Sequence, residues 1–269
     1  MKRRVGNKFF DDISAKYGRP DYYDIEYHLR NSTFKEIKEL IRYYRIKNVL
    51  EAGCGNGILT EQISKLKFKI TAVDFSIGML REAKKRVGSI CSVSFVRANL
   101  KRIPFKNESF DLVILSNVLI NQNDEDAKKI IRECCRVLKP GGFLVLNFEK
   151  RRSIWSLCLG LGRSDKFFAR AYNSGFIMGI LNEEKLSVAK ILDVGFERYK
   201  NVKGLGLIMR KEEKFKEKIK RIFSSRKSFI GTVKYIMIRL CLKVSISLRE
   251  SPARIIVAKK HERNKPALE

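Results

Sequence analysis

The run Val49-Leu50-Glu51-Ala52-Gly53-Cys54-Gly55-Asn56-Gly57 is the part of this sequence best suited to chemistry. An apolar strand pattern enters a glycine-rich turn, and Ile58 opens a segment of helical period. Glycine lets a backbone approach a ligand closely, and a helix start offers free N–H groups and a positive dipole end to an anionic group. Asp74 ends the next strand pattern about 20 residues on, where a carboxylate can accept both hydroxyls of a ribose. These features point to a nucleoside-bearing ligand. A dinucleotide enzyme shares the outline, but its fingerprint spaces the glycines G-x-G-x-x-G. Here the spacing is G-x-G-x-G, and Ile58 stands where the last glycine of that fingerprint would fall.

Such a turn works only on a scaffold that holds it. Short apolar runs alternate with helix-period segments from Lys47 to Phe148, the pattern of βα units building a parallel sheet. It predicts strands over 48–51, 69–74, 92–97, 110–116 and 142–148, with helices over 58–66, 77–87 and 125–138. Lys139-Pro140-Gly141-Gly142 reads as the stop signal of the last helix. Upstream, 9–44 reads as helices capping the carboxyl edge of the sheet, where α/β folds bind ligands. Downstream, a helix over 183–193 leads through Gly195-Phe196 into a strand, and 254–259 reads as the final strand.

Four blocks then occur in order: Val49 to Gly57; Val73-Asp74-Phe75-Ser76 with Met79-Leu80; Ile103-Pro104-Phe105 with Ser109-Phe110-Asp111; and Arg136-Val137-Leu138-Lys139-Pro140-Gly141-Gly142. Over about a hundred residues this series resembles the class I S-adenosylmethionine-dependent methyltransferases, of the type 11 and ubiquinone-menaquinone biosynthesis-like kind. The resemblance implies an α/β, Rossmann-like fold: a seven-stranded, mostly parallel sheet with helices on both faces, an N-terminal helical cap and two insertions in the C-terminal third. The expected single domain divides into a cap (1–45), a cofactor-binding core (46–150), an aromatic insertion (151–182), closing elements (183–206 and 252–260) and a basic amphipathic insertion (207–251). Its cofactor would be S-adenosylmethionine. Glu51 and the backbone of Gly53, Cys54, Gly55 and Gly57 would hold the methionine moiety, with Arg30 of the cap near its carboxylate. Asp74 would hold the ribose, and Phe75 and Met79 would pack on adenine.

The family usually places an aspartate two strands later to bond the adenine amino group, and this chain has Asn99 there, followed by Leu100. An asparagine carbonyl accepts the same bond, more weakly for want of charge. Ser116 and Asn117, just past the fourth strand, would line the gap between cofactor and acceptor. Related quinone-type enzymes often carry a histidine shortly after that strand, where this chain reads Leu119-Ile120-Asn121. Its two histidines are His28 and His261. His28, beside Tyr22, Tyr23, Tyr27 and Arg30, is the candidate to take a proton from an acceptor. No metal is expected.

Composition bears on the partner. Formal net charge is +28, from 57 basic and 29 acidic residues, which points to an anionic partner or surface unless it is only an ion-rich exterior. The six cysteines are scattered without C-x-x-C spacing, as in a reduced, cytoplasmic protein. Residues 6–19 are too polar for a secretory signal, and the longest apolar stretches, 154–162 and 235–244, fall short of the ~20 residues that cross a bilayer. Apolar side chains recur at helical spacing among lysines and arginines over 211–249, the composition of a helix lying on an anionic membrane. Residues 151–182 hold Trp155, Phe167, Phe168 and Phe176, where ubiquinone-biosynthesis O-methyltransferases carry membrane-docking segments. The expected acceptor is therefore small or lipid-like, such as a quinone precursor, a polyprenyl compound or a lipid, with peripheral membrane association through 151–182 and 211–249. RNA is the alternative, weakened by the lack of an N-P-P-Y-like tetrapeptide after the fourth strand; a non-catalytic cofactor-binding scaffold is the third reading.

Overall fold

The computed structural model describes residues 10–12, 14, 24–66, 68–90, 92–150, 171–194 and 253–262, with the backbone alone over 24–28. Helix α1 (Asp24–Tyr43) leads into β1 (Asn48–Ala52), α2 (Ile58–Ser64), β2 (Lys69–Asp74), α3 (Ile77–Val87), β3 (Val93–Arg97) and β4 (Phe110–Leu115). A 3-10 turn (Leu119–Asn121), α4 (Asp124–Val137), β5 (Leu138–Glu149), α5 (Ser174–Glu183), β6 (Leu186–Val194) and β7 (Ala253–Lys260) follow. The strands form one seven-stranded sheet, ordered β3-β2-β1-β4-β5-β7-β6. Only β7 runs against its neighbours. The order reverses between β1 and β4, and at such a switch point the crevice beyond the carboxyl ends of the strands is open to a ligand.

Side chains alternate across each strand, and here both faces are buried, so the central strands read as continuous apolar runs. Val49, Leu112, Ile114, Val145 and Ile255 pack with Leu29 and Ile37 of α1 and Leu59 and Ile63 of α2. Leu50, Val113, Leu115, Leu144 and Ile256 pack with Ile130, Ile131 and Cys134 of α4 and Ile177 and Leu181 of α5. Helix α1 runs across the face of the sheet: Thr33 meets Asn147 near the carboxyl end of β5, whereas Tyr44, just past the helix, packs on Phe143 in the middle of that strand.

The expected helix over 183–193 is a strand instead. β6 is the edge strand, and its register shifts between Val188 and Lys190, where Ala189 is the extra residue. That bulge breaks the period-two alternation and lets Val188, Ile191 and Leu192, at i, i+3 and i+4, resemble helical spacing. The helix lies earlier, as α5, with the Asn173 side chain capping its Gly175 N–H. Lys139-Pro140-Gly141-Gly142 follows the end of α4 and its cap Leu138, as expected of a stop signal, and lies within β5, where the β4–β5 register shifts. The strand expected after Gly195-Phe196, the basic insertion 207–251 and residues 151–170 lie outside the described residues. Among the described residues no helix is long and apolar enough to cross a membrane, and no cluster of His, Cys, Asp or Glu forms a metal site.

Candidate cofactor and acceptor site

The glycine turn is built by backbone geometry. Gly53, Gly55 and Gly57 all adopt positive φ, at 83°, 53° and 79°, a conformation that costs L side chains about 1–2 kcal/mol. The Gly53 and Cys54 amides donate to the Val73 carbonyl at 2.7 and 2.9 Å, lashing the turn to the end of β2. A Cβ on Gly53 would stand 2.3 Å from Val118 Cγ2, and one on Gly57 2.8 Å from Ala83 of α3. These two glycines serve close packing. At Gly55 an added Cβ would meet nothing within 4 Å, so its outer face is the free one.

Two buried carboxylates flank this turn. Asp74 accepts from the Gly55 amide through Oδ2 and from the Ser76 amide through Oδ1, both at 2.9 Å. Burial raises its pKa, with the amides of Ser76, Gly55 and Phe75 opposing the rise. Glu51 accepts from Thr60 Oγ1 at 2.6 Å. Burial pushes its carboxyl up to about 8; the Thr60 hydroxyl opposes this, Asp74 adds to it, and the charge of Arg30 opposes it. A buried, proton-holding carboxyl beside an open glycine face suits a ligand that brings cationic groups, as the ammonium and sulfonium of S-adenosylmethionine would. The residues present therefore fit that cofactor.

Residues 49–142 match the family model described as a methyltransferase domain. That match runs from β1 into β5 and so takes in the glycine turn and both buried carboxylates. A demethylmenaquinone methyltransferase of Listeria monocytogenes is 33% identical over 149 residues, which cover 53% of this chain and 61% of that protein. A ubiquinone/menaquinone biosynthesis C-methyltransferase of Escherichia coli is 39% identical over 113 residues, covering 39% of this chain and 44% of the relative. The chain thus spans under two thirds of the length of these relatives. Among solved structures, the magnesium protoporphyrin IX methyltransferase of Synechocystis with bound SAH superposes with a TM-score of 0.62 at 17% identity, covering 94% of this chain and 97% of that one. The [4+2]-cyclase SpnF superposes with a TM-score of 0.55 at 18% identity, over 81% and 76% of the two chains. Such likeness gives the fold, and the cyclase is a reminder that the fold leaves the chemistry to the site.

Within the matched residues, Cys54 is buried in the turn, and burial holds its thiol well above the usual range. Phe75 is half-buried and Met79 buried at the start of α3. Asn99 is exposed past β3, its Oδ1 accepting from the Lys101 amide at 3.0 Å, and Leu100 is buried against Gly53. Ser116 and Asn117 follow β4 at the switch point, and Asn117 has φ 57°. Arg30 is buried in α1 within electrostatic reach of Glu51. His28 lies on the carboxyl-edge half of α1, and its side chain is outside the described residues. His261 follows β7 at the opposite, amino edge, its amide bonding the Lys185 carbonyl at 3.0 Å, which separates it from the turn by the length of the sheet.

Three supporting residues escaped the sequence reading. The buried Asn147 of β5 accepts from the Asn117 amide at 2.8 Å and donates to Ser116 Oγ at 2.9 Å and Thr33 Oγ1 at 3.1 Å. Tyr172 places its hydroxyl 2.7 Å from the Gln122 carbonyl and 3.1 Å from that of Leu119. Both ends of the segment after β4 are thereby fixed. Asp11 reaches the start of α3 from far upstream. A polar residue in an apolar strand run, as at Asn147, is the one signal that flags any of them.

Proposed function

We propose that the chain is an S-adenosylmethionine-dependent methyltransferase acting on a lipid-like acceptor, a demethylated quinone precursor first among them. Glu51, Asp74 and the open face of Gly55 would hold the cofactor, which when bound supplies an electrophilic methyl group on sulfur. Ser116 and Asn117 would form the wall facing the acceptor. Holding two reactants in line is worth ~7–11 kcal/mol, so positioning carries most of the task. His28 is the histidine on the cofactor side of the sheet and would take an acceptor proton where one must leave.

The acceptor class is carried by where the two long excursions join the sheet. Residues 151–170 depart after Glu149 and Lys150, and 195–252 span Val194 to Ala253, all at the carboxyl edge that bears the glycine turn. Their sequences combine basic and apolar residues, the composition that lies on anionic lipid. The quinone-biosynthesis names of the relatives agree with that class.

The test is transfer of a labelled methyl group to a polyprenyl naphthoquinol lacking its ring methyl, presented in anionic vesicles. Transfer accompanied by salt-sensitive vesicle binding is expected. A protein that binds S-adenosylmethionine but ignores vesicles and methylates no quinol would end the lipid proposal; steeply salt-dependent RNA binding in the same protein would move it to RNA.

A further inference from the structure

The adenosine end of the site is braced by residues more than sixty positions upstream. Asp11 Oδ1 accepts from the Gly78 amide at 2.8 Å and from the Ser76 hydroxyl. Ser76 Oγ accepts in turn from the Met79 amide at 3.1 Å, while the Ser76 amide donates to Asp74 Oδ1. Asp11 is therefore one residue removed from the carboxylate assigned to the ribose. The Phe10 ring stands edge-on to Phe75, with centroids 5.5 Å apart and planes at 90°.

This contact is shaped for its place. Ser14 Oγ donates to the Asp11 carbonyl three residues earlier at 2.9 Å, a local bond next to the short helical piece 10–12. A Cβ on Gly78 would stand 3.0 Å from both Asp11 Cα and Ser14 Oγ, so glycine at 78 is what lets the segment sit this close. The bonds from Ser76 and Gly78 hold Asp11 below the usual carboxylate range, so it is ionised at neutral pH. A charged acceptor bonded to a helix N-terminus fixes that end of the helix firmly. The residues it bonds, Ser76 and Gly78, lie between Phe75 and Met79, the two assigned to adenine.

We infer that Asp11 is a positioning residue for adenosine recognition: through Ser76 and Gly78 it sets the place of Phe75 and the first turn of α3, and Phe10 backs the Phe75 ring. This rests on the cofactor reading above. Asn99 supplies only a neutral acceptor for the adenine amino group, so a firm aromatic wall matters more here than it would beside an aspartate.

The test is calorimetric titration of S-adenosylhomocysteine and, separately, adenosine into the wild-type chain and into Asp11→Ala, Asp11→Glu and Gly78→Ala. We expect Asp11→Ala and Gly78→Ala to weaken both ligands by the same factor, about tenfold, the scale of a lost charge-assisted hydrogen bond. Asp11→Glu should recover part of it. A loss of thermal stability alone, with both affinities within twofold of wild type, would reduce Asp11 to a helix cap and overturn the inference. As a second readout, Phe10→Trp in a Trp155→Phe background should change fluorescence on titration with S-adenosylhomocysteine, saturating with the calorimetric curve. An unchanged signal would count against the inference. Wild-type protein that binds neither ligand would instead defeat the cofactor reading itself.

Discussion

At the residue scale, Glu51 makes the site sensitive to pH. Its carboxyl titrates near 8 in the folded, ligand-free chain, because burial outweighs the Thr60 hydroxyl and Arg30, while an unfolded chain releases that proton near 4.3. Between those values the folded state holds a proton the unfolded state has lost, so raising the pH through this window lowers the stability of the ligand-free protein. Cofactor binding runs the other way. A cationic ligand favours the carboxylate, so S-adenosylmethionine should bind more tightly as pH rises toward 8, by up to about tenfold per unit, with release of a proton. Calorimetry in buffers of different ionisation heat measures this, and Glu51→Gln should abolish it. The glycines separate by the same logic. Gly57→Ala meets Ala83 at positive φ and should cost about 2–4 kcal/mol in urea unfolding, with Ala83→Gly recovering part in a double-mutant cycle. Gly55→Ala meets no neighbour and should lose more in cofactor affinity than in stability.

At the scale of elements, the tie among α1, β4 and β5 rests on one carboxamide. Asn147→Leu would strand the Asn117 amide, already held at positive φ, and should destabilise the chain by about 2–3 kcal/mol. Thr33→Val removes the link to α1 together with the hydroxyl's bond to the Leu29 carbonyl, leaves the Asn117 and Ser116 bonds in place and should cost about 1 kcal/mol, so comparing the two by denaturant unfolding separates the arms. Elements defined by local pattern were legible in the sequence: β2 and α3 fall at the expected residues because an apolar run and a Ser76 cap announce them. The glycine turn was legible for the same reason, since its backbone demands are written in three glycines at alternate positions. β6 was not, because one extra residue at a sheet edge disguises a strand as a helix. Asn147 meeting Thr33, Tyr172 meeting Gln122 and Asp11 meeting Gly78 join parts of the chain that only the fold brings together, and no local spacing marks such pairs.

At the scale of the molecule, the net charge of +28 and the placement of the excursions act together. Basic residues attract anionic lipid at about 1 kcal/mol each near the surface, an attraction that salt screens. Co-sedimentation with anionic vesicles should accordingly fall as salt rises, while cofactor binding in the buried turn should barely change. Replacing 195–252 by a short glycine-serine linker should leave the sheet folded and S-adenosylmethionine bound while reducing vesicle binding; circular dichroism, calorimetry and sedimentation of the one variant would show this.

That linker variant is plausible because of how the sheet is closed. Val194 and Ala253 pair directly across β6 and β7, and Lys150 bridges to Tyr172, so the chain leaves and re-enters a completed scaffold at adjoining points. Closing a longer loop between neighbouring ends adds little entropy cost, roughly 0.6 kcal/mol per doubling of length. Insertions at these two joints can therefore lengthen, shorten or change character with little effect on the half of the molecule assigned to the cofactor. If the proposed function holds, the carboxyl edge would serve as a socket: one cofactor-holding core could be refitted for acceptors of different size and solubility by exchanging the sequences joined there, 151–170 and 195–252.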